Sequence, residues 1–125
     1  DPRRVVRRVF DEVWNGANID AIDDLFDAGF VRHGWPVDHP RGPEGEKRHR
    51  AAHAAEFRDF HITAEDIVAE GDRVAVRYRW TAVHRPTGKP VFMDGIAIHR
   101  VASGKITELW AIGDELSLHR QLAEG

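Results

Sequence analysis

Apolar residues recur at three- and four-residue spacing near the start of the chain. Val5, Val6, Val9, Phe10, Val13 and Trp14 make one stripe, with Arg and acidic residues between them. That period predicts a helix over Pro2 to Asn15. Pro2 suits a first turn, and Asn15-Gly16 is a stop signal. Ile19, Ile22, Leu25 and Phe26 give a second, shorter helix that Gly29 ends. Phe30-Val31-Arg32-His33 reads as a short extended piece closed by Gly34-Trp35-Pro36. Residues 34–45 are rich in Pro and Gly and carry Asp38, His39 and Arg41, which predicts a loop over a pocket opening. Gly42-Pro43-Glu44-Gly45 then opens a third helix that runs to about Phe57.

From His61 onward the period changes to two. His61 to Glu70 is a first long strand, ended by the turn Glu70-Gly71-Asp72-Arg73. Val74, Val76, Tyr78 and Trp80 then alternate with Ala75, Arg77, Arg79 and Thr81, the pattern of a half-buried antiparallel strand. After Pro86-Thr87-Gly88-Lys89-Pro90 comes a strand from Val91 to Val101, apolar on both faces. Ile96 and Ile98 lie on one face, Ala97 and His99 on the other. Ala102-Ser103-Gly104-Lys105 turns it into a last strand, on which Trp110, Ile112 and Asp114 share one face and Leu109, Ala111 and Gly113 the other. A helix from Leu116 to Leu122 closes the chain. Helices followed by a meander of long strands predict an α+β layer architecture in one domain, residues 1–125. An apolar sheet face turned to water is a liability, so one face of the third long strand is expected to meet a second subunit.

Composition narrows the function classes. The 125 residues are 42% hydrophobic and 31% charged, which is ordinary for a globular chain, and are enough for a core. The formal charge of −3 leaves no basic footprint for nucleic acid. No apolar run approaches the roughly 18 residues of a membrane span, and no signal peptide is visible, so a cytoplasmic location is expected. There is no cysteine, which excludes thiol chemistry. Ser103 and Ser117 have no nucleophile motif around them. Eight His and four Trp are the unusual part.

Two places hold candidate chemistry. Asp114 follows an apolar strand face and precedes a helix. It is either the cap of that helix or an acid/base group at the mouth of an apolar pocket, where desolvation favours the protonated form. On the third helix, Glu46, His49 and His53 lie at i, i+3 and i+7, on one stripe. They are solvated on a rotated helix, or form a polar pocket wall that binds an oxygen-rich substrate, or chelate a metal. The last needs a third ligand beside the His49/His53 pair, such as Glu46, His33 or Asp114. His39, His61, His84 and His119 read as loop or surface groups.

The order of elements and several local motifs resemble the SnoaL-like polyketide cyclase (ester cyclase) family, in the superfamily of nuclear transport factor 2 and ketosteroid isomerase. The matching pieces are Trp14-Asn15-Gly16 with Asp20 through Phe26, Val31-Arg32-His33, Gly42-Pro43-Glu44-Gly45, and Asp66 through Val74. The most specific piece is the ending, Gly104-Lys105-Ile106 to Trp110, Asp114 and Gln121-Leu122. The resemblance implies a cone-shaped, curved antiparallel sheet wrapped around N-terminal helices and enclosing a pocket. It implies no cofactor and no metal. It places an acid/base aspartate at Asp114 and a pocket residue at His33, and turns His99 inward. The stripe of Glu46, His49 and His53 departs from the family, which carries large apolar residues there.

The chemistry expected is proton transfer next to a carbonyl, as in an intramolecular aldol ring closure. Asp114 would act as base and then acid, with His33 or His99 polarising the carbonyl or holding the enolate oxygen. Phe10, Trp14, Trp35, Tyr78, Trp80 and Trp110 would wall the cavity, with His49, His53 and His99 as further binding groups. Aromatic walls suit a flat or polycyclic small molecule. A dehydratase, isomerase or epoxide hydrolase of the same fold is an alternative, and a His–Asp pair in hydrogen-bond reach would favour dehydration. A non-catalytic binding module is the other, favoured if the chain's own side chains fill the cavity. The expected partners are a small-molecule substrate and a second copy of the chain, a homodimer or higher homo-oligomer, with neither nucleic acid nor membrane.

Overall fold

The computed structural model describes residues 1–34 and 40–124. The predicted first helix is one continuous helical segment of two kinds. Helix α1 (Pro2–Arg8) passes into a π-helical stretch (Val9–Asn15). The last turn of the segment leaves carbonyl groups without intrahelical partners. The Arg50 guanidinium donates to two of them, Val13 O and Trp14 O, both at 3.4 Å. Asn15 ends the segment and clips it to the sheet. Its Nδ2 donates to Ile62 O at 2.9 Å, and its Oδ1 accepts from Ile62 N at 2.8 Å.

Helix α2 (Ala21–Leu25) is shorter than the sequence pattern predicts. Phe26, assigned to the helical stripe, instead begins strand β1 (Phe26–Arg32), so Gly29 lies within a strand and ends no helix. The cause is tertiary. Phe26 and Phe30 stack edge to face at 4.8 Å under the sheet, and both are fully buried. Gly42 caps helix α3 (Pro43–Glu56) at φ 79°, where a side chain would run into Ala28 O.

Strands β2 (Phe57–Glu70), β3 (Arg73–His84), β4 (Pro90–Ala102) and β5 (Lys105–Gly113) form an antiparallel meander. The sheet order is β1-β5-β4-β3-β2, and β1 joins β5 in parallel. The fold is thus the expected α+β type, a curved, unclosed sheet over helices, with one parallel edge pair in place of a wholly antiparallel sheet. Helix α4 (Glu115–Ala123) follows β5.

Strand β2 begins four residues before the predicted His61. Between Arg58 and His61 it gains one residue relative to β3, a bulge at Asp59 with φ 54°. In a regular strand Phe57 and Phe60, three apart, would face opposite ways. The extra residue brings both rings to the concave face. There they meet Trp80, at 5.1 and 5.5 Å between ring centroids.

Along each long strand the inward residues change character. At one end Val74, Val76, Val101 and Ile106 pack against Val6, Val9, Val13 and Ile22 as a closed core. At the other end the inward positions of β4 and β5 are small. Gly95 pairs with Gly113 and Ala97 with Ala111. The glycine pair makes room for the side chains of Tyr78 and Met93, and the space left above Ala97 and Ala111 belongs to the cavity. No helix among the described residues is long and apolar enough to cross a membrane.

Candidate functional site

The concave face of the sheet, the π-helical segment, α3 and α4 enclose a cavity of about 550 Å³. This is the size of an ordinary small-molecule site. Its floor is Ala97, Ala111 and Gly113, and its walls carry Phe10, Trp14, Tyr78 and Trp80. The cavity is therefore not filled by the chain's own aromatic side chains.

Five histidines line it: His33, His49, His53, His99 and His119. His53 sits in an aromatic box. Its ring meets Trp14, Phe60 and Trp80 edge-on at 5.5, 4.8 and 5.1 Å, and lies tilted on Phe57 at 4.8 Å. Neither ring nitrogen has a hydrogen-bond partner. Burial, with a smaller push from the Arg50 cation, holds its pKa down at about 4. His49 also meets Trp14, at 5.9 Å between ring centroids and nearly perpendicular to it. Two members of the α3 stripe, His49 and His53, are thus turned toward the cavity, as a polar pocket wall requires.

His99 is 3% exposed, and its Nδ1 has no partner. Burial first, then the Arg32 cation, lowers its pKa to about 4, against a backbone hydrogen bond at Val74. Both buried imidazoles are therefore neutral at pH 7, each with one donor and one acceptor. Unpartnered buried polar groups are rare in folded proteins and often belong to ligand sites.

Glu46 does not line the cavity. It is 1% exposed and accepts from Arg32 Nη2 at 2.9 and 3.3 Å. Arg32 itself does line it. Tyr78 lies against Gly95, where any added Cβ would strike the phenol ring. Desolvation raises the Tyr78 pKa, with Arg32 opposing and Glu115 adding to the shift. Nothing in the sequence pattern singles out Arg32. Its only signal is its place in the Val31-Arg32-His33 piece.

Asp114 stands apart from this set. It caps α4, with Oδ1 accepting from Ser117 N at 3.0 Å, and it is exposed. Gly113 and Glu115 line the cavity and Asp114 does not. The desolvated acid expected there is not formed, because period two turns Leu109, Ala111 and Gly113 inward and leaves the other set outside. Trp110 is on that outer set for the same reason. It does not wall the cavity but stacks on His33, 4.6 Å away and 8° from parallel. Trp35 and His39 lie outside the described residues.

At the cavity rim, His33 Nε2 is 2.9 Å from Glu108 Oε2. Hydrogen bonds from His33 and then Arg100 hold the Glu108 pKa down. Glu108 is thus a fixed carboxylate that orients the imidazole, a pairing that sequence reading missed because Glu108 is far from His33 in the chain. Of the remaining histidines, His119 is exposed and touches the cavity, and His61 is exposed. His84, expected at the surface, is buried. It bonds Thr87 Oγ1 at 2.9 Å and Glu56 Oε2 at 3.2 Å. Among the described residues no three His, Asp or Glu side chains converge in the arrangement that a metal ion needs.

The model of the SnoaL-like polyketide cyclase family matches residues 4–122. The chain belongs to that family. This SnoaL-like chain is similar to IdmH, a proposed polyketide cyclase from Streptomyces antibioticus. The two share 27% identity over 99% of both chains, with a TM-score of 0.87. A proposed polyketide cyclase from Bacillus cereus ATCC 10987 shares 30% identity over 94% of this chain and 77% of its own, with a TM-score of 0.82. A protein from Catenulispora acidiphila with a ketosteroid isomerase-like fold, solved with trimethylamine, shows the same fold. It has 21% identity over 94% of this chain and 90% of its own, and a TM-score of 0.80. No functionally curated protein matches the SnoaL-like chain.

Proposed function

We propose that this chain is a polyketide cyclase-type enzyme that closes a ring in a flat carbonyl substrate by moving a proton next to the carbonyl. The observation that carries the reading is a cavity of about 550 Å³, walled by aromatic rings and histidines, in a chain of the SnoaL-like family.

The proton is assigned to His33 rather than to Asp114, whose carboxylate is exposed and engaged as a cap. With Nε2–H donated to Glu108, the His33 Nδ1 carries the lone pair. It takes an α-proton, and the substrate becomes an enolate. The enolate carbon attacks a second carbonyl of the same molecule, a C–C bond forms, and the new alkoxide takes the proton back from the imidazolium. Glu108 positions the ring and stabilises its charged form, as a carboxylate does for any histidine base. The neutral imidazoles of His53 and His99, together with His49, hydrogen-bond the substrate's oxygens, and Phe10, Trp14, Tyr78 and Trp80 pack its faces. No cofactor is called for by this sequence of steps.

One observation favours a second reading. A His–carboxylate pair at hydrogen-bond distance also suits dehydration, in which the base removes the α-proton and a β-hydroxyl leaves as water. The test is incubation of the purified protein with an aromatic polyketide precursor bearing a free methylene between carbonyls. Cyclase action gives a ring-closed product of unchanged mass, and dehydration gives a loss of water. Recovery of the precursor unchanged, at the rate of a protein-free control, rules out both.

We also propose that the outer face of the sheet pairs two copies of the chain. Ile96 and Ile112 face each other across β4 and β5 and are 56% and 81% exposed. Arg79–Asp94 and Arg77–Asp66 ion pairs flank them. A patch of this kind, apolar in the middle with paired charges at its border, fits a self-complementary interface.

A further inference from the structure

A charged network crosses the outer face of the sheet and ends on His33. Asp72 lies in the turn between β2 and β3, Arg100 on β4 and Glu108 on β5. The Arg100 Nε donates to Asp72 Oδ2 at 3.0 Å, and its Nη1 donates to Glu108 Oε1 at 2.9 Å. The other Glu108 oxygen, Oε2, is the one 2.9 Å from His33 Nε2. A regular strand would put Ile106, Glu108 and Trp110 on one face. Strand β5 is not regular there. Ile106 and Leu109 are both buried although three residues apart, and the register with β4 slips between Arg100 and Val101. This bulge keeps Ile106 in the core and leaves Glu108 on the outer face with Trp110, within reach of both His33 and Arg100.

We infer that Arg100 is a positioning residue for His33: it holds one oxygen of Glu108, turns the other to the imidazole, and so fixes where the ring stands at the cavity rim. Arg100 does not line the cavity, so it acts through Glu108. Its direction has a cause. Arg73 lies opposite Arg100 across β3 and β4, and like charges in such a pair repel. Each cation has its own partner: Arg73 stands 5.5 Å over the Trp110 ring, and Arg100 reaches the two acids. A planar guanidinium suits that bridge, because its donors point in fixed directions. Exposed ion pairs add little stability one by one. What this network supplies is orientation. The His33 backbone N donates to Leu109 O at 2.9 Å, its ring face stacks on Trp110, and its ring edge meets Glu108. Without Arg100 the Glu108 side chain regains its rotamers, and the edge support is lost.

This inference rests on the reading of His33 as the base, and its main readout needs no turnover. The carbon-bound protons of the His33 ring lie over the Trp110 indole, whose ring current moves their NMR signals upfield. Trp110→Ala calibrates that displacement. In the full chain, Arg100→Met is expected to remove at least half of it, and Asp72→Asn, which frees Arg100 from its other end, a smaller part. In a Glu108→Ala background Arg100→Met is expected to move the signals no further, because the two residues act in series. With 1-tetralone in D2O, Arg100→Met is expected to lower kcat for α-proton exchange about tenfold, with KM within twofold. His33 signals unmoved in both single variants, or a further shift of equal size in the Glu108→Ala background, overturn the inference. Where the parent chain accelerates exchange, unmoved signals or a kcat within twofold of the parent's sink this inference alone. Displaced signals in a chain whose parent exchanges only at the buffer rate sink the base reading alone.

Discussion

The two faces of strands β4 and β5 are built from alternate residues of the same peptides, yet they follow opposite rules. On the outer face the charges are satisfied. Arg100 bridges Asp72 and Glu108, and Arg79 bonds both oxygens of Asp94, while the large apolar groups Ile96, Ile98 and Ile112 are exposed. On the inner face the apolar groups are small or buried, and the polar groups are the ones left unsatisfied, His99 on β4 and His53 on α3. Each face lacks what the other has. The outer lacks a cover for hydrocarbon, which a second protein surface would supply. The inner lacks hydrogen-bond partners inside an apolar space, which a small oxygenated molecule would supply. The proposed reading gives association to one face and ligand binding to the other.

His33 is where the faces meet. Its ring lines the cavity, stacks on the outward Trp110 and bonds the outward Glu108. The largest expected effect of any substitution is therefore at this pair. His33→Gln and Glu108→Gln should each lower kcat by about 10²–10⁴-fold, the usual contribution of a positioned acid/base group, with unfolding midpoints unchanged. A kcat within threefold of the parent in both would remove the pair from the chemistry.

Next in size is an acid effect confined to the inner face. His53 and His99 have pKa values near 4 in the folded chain, below the ordinary 6.5. The unfolded chain thus binds protons that the folded chain does not, and stability is lost as pH falls from about 6.5 toward 4. Each imidazole is expected to contribute roughly 3 kcal/mol to that loss at its acid end. Urea unfolding between pH 7.5 and 4.5 measures it, and His53→Phe should flatten the dependence. An unchanged slope in that variant would mean that the imidazole is not desolvated.

The outer face is probed with Ile112→Lys. Full burial of an isoleucine contributes about 1.5–3 kcal/mol, so self-association should weaken by roughly tenfold or more. Sedimentation measures this, and binding of a flat ligand to the inner face should stay within twofold. If Ile112→Lys leaves the oligomeric state unchanged, the outer face is not the interface.

The smallest effect belongs to Asp114. Asp114→Ala should cost about 1 kcal/mol as a lost N-cap, and Asp114→Asn almost nothing, since asparagine caps equally well. Neither should change turnover beyond what stability explains. A thousandfold loss of kcat in Asp114→Asn would return the acid/base role to this residue.

Much of the fold was legible in the chain because periodicity reports which side of an element is buried. The alternation from Val74 to Trp80 and the turn at Ser103-Gly104 map directly onto β3 and the β4–β5 hairpin. The misses have a common cause. Phe26 and Phe57 are apolar residues whose local pattern fits helix or loop. Their places are set by the Phe26–Phe30 contact and by the β2 bulge at Asp59, which only distant partners determine. The site was less legible than the fold. Alternation divides β5 into two faces but does not say which is concave, so Trp110 and Asp114 were placed inside when Leu109, Ala111 and Gly113 are. Glu108 and Arg32 went unmarked because each acquires its meaning from a partner far along the chain, His33 and Glu46. The inward turn of His49 and His53 was visible only as one of three readings of a helix without a clear apolar stripe.

The claim on which the rest depends is that the inner face moves a proton next to a carbonyl with His33 as the base. The most direct measurement is the exchange of the α-protons of 1-tetralone, a flat ketone, with deuterium in D2O, followed by NMR. The parent chain is expected to accelerate exchange above the buffer rate, and His33→Gln to lose that acceleration by about 100-fold or more. Exchange at the buffer rate with the parent chain, or equal acceleration by His33→Gln, would contradict it.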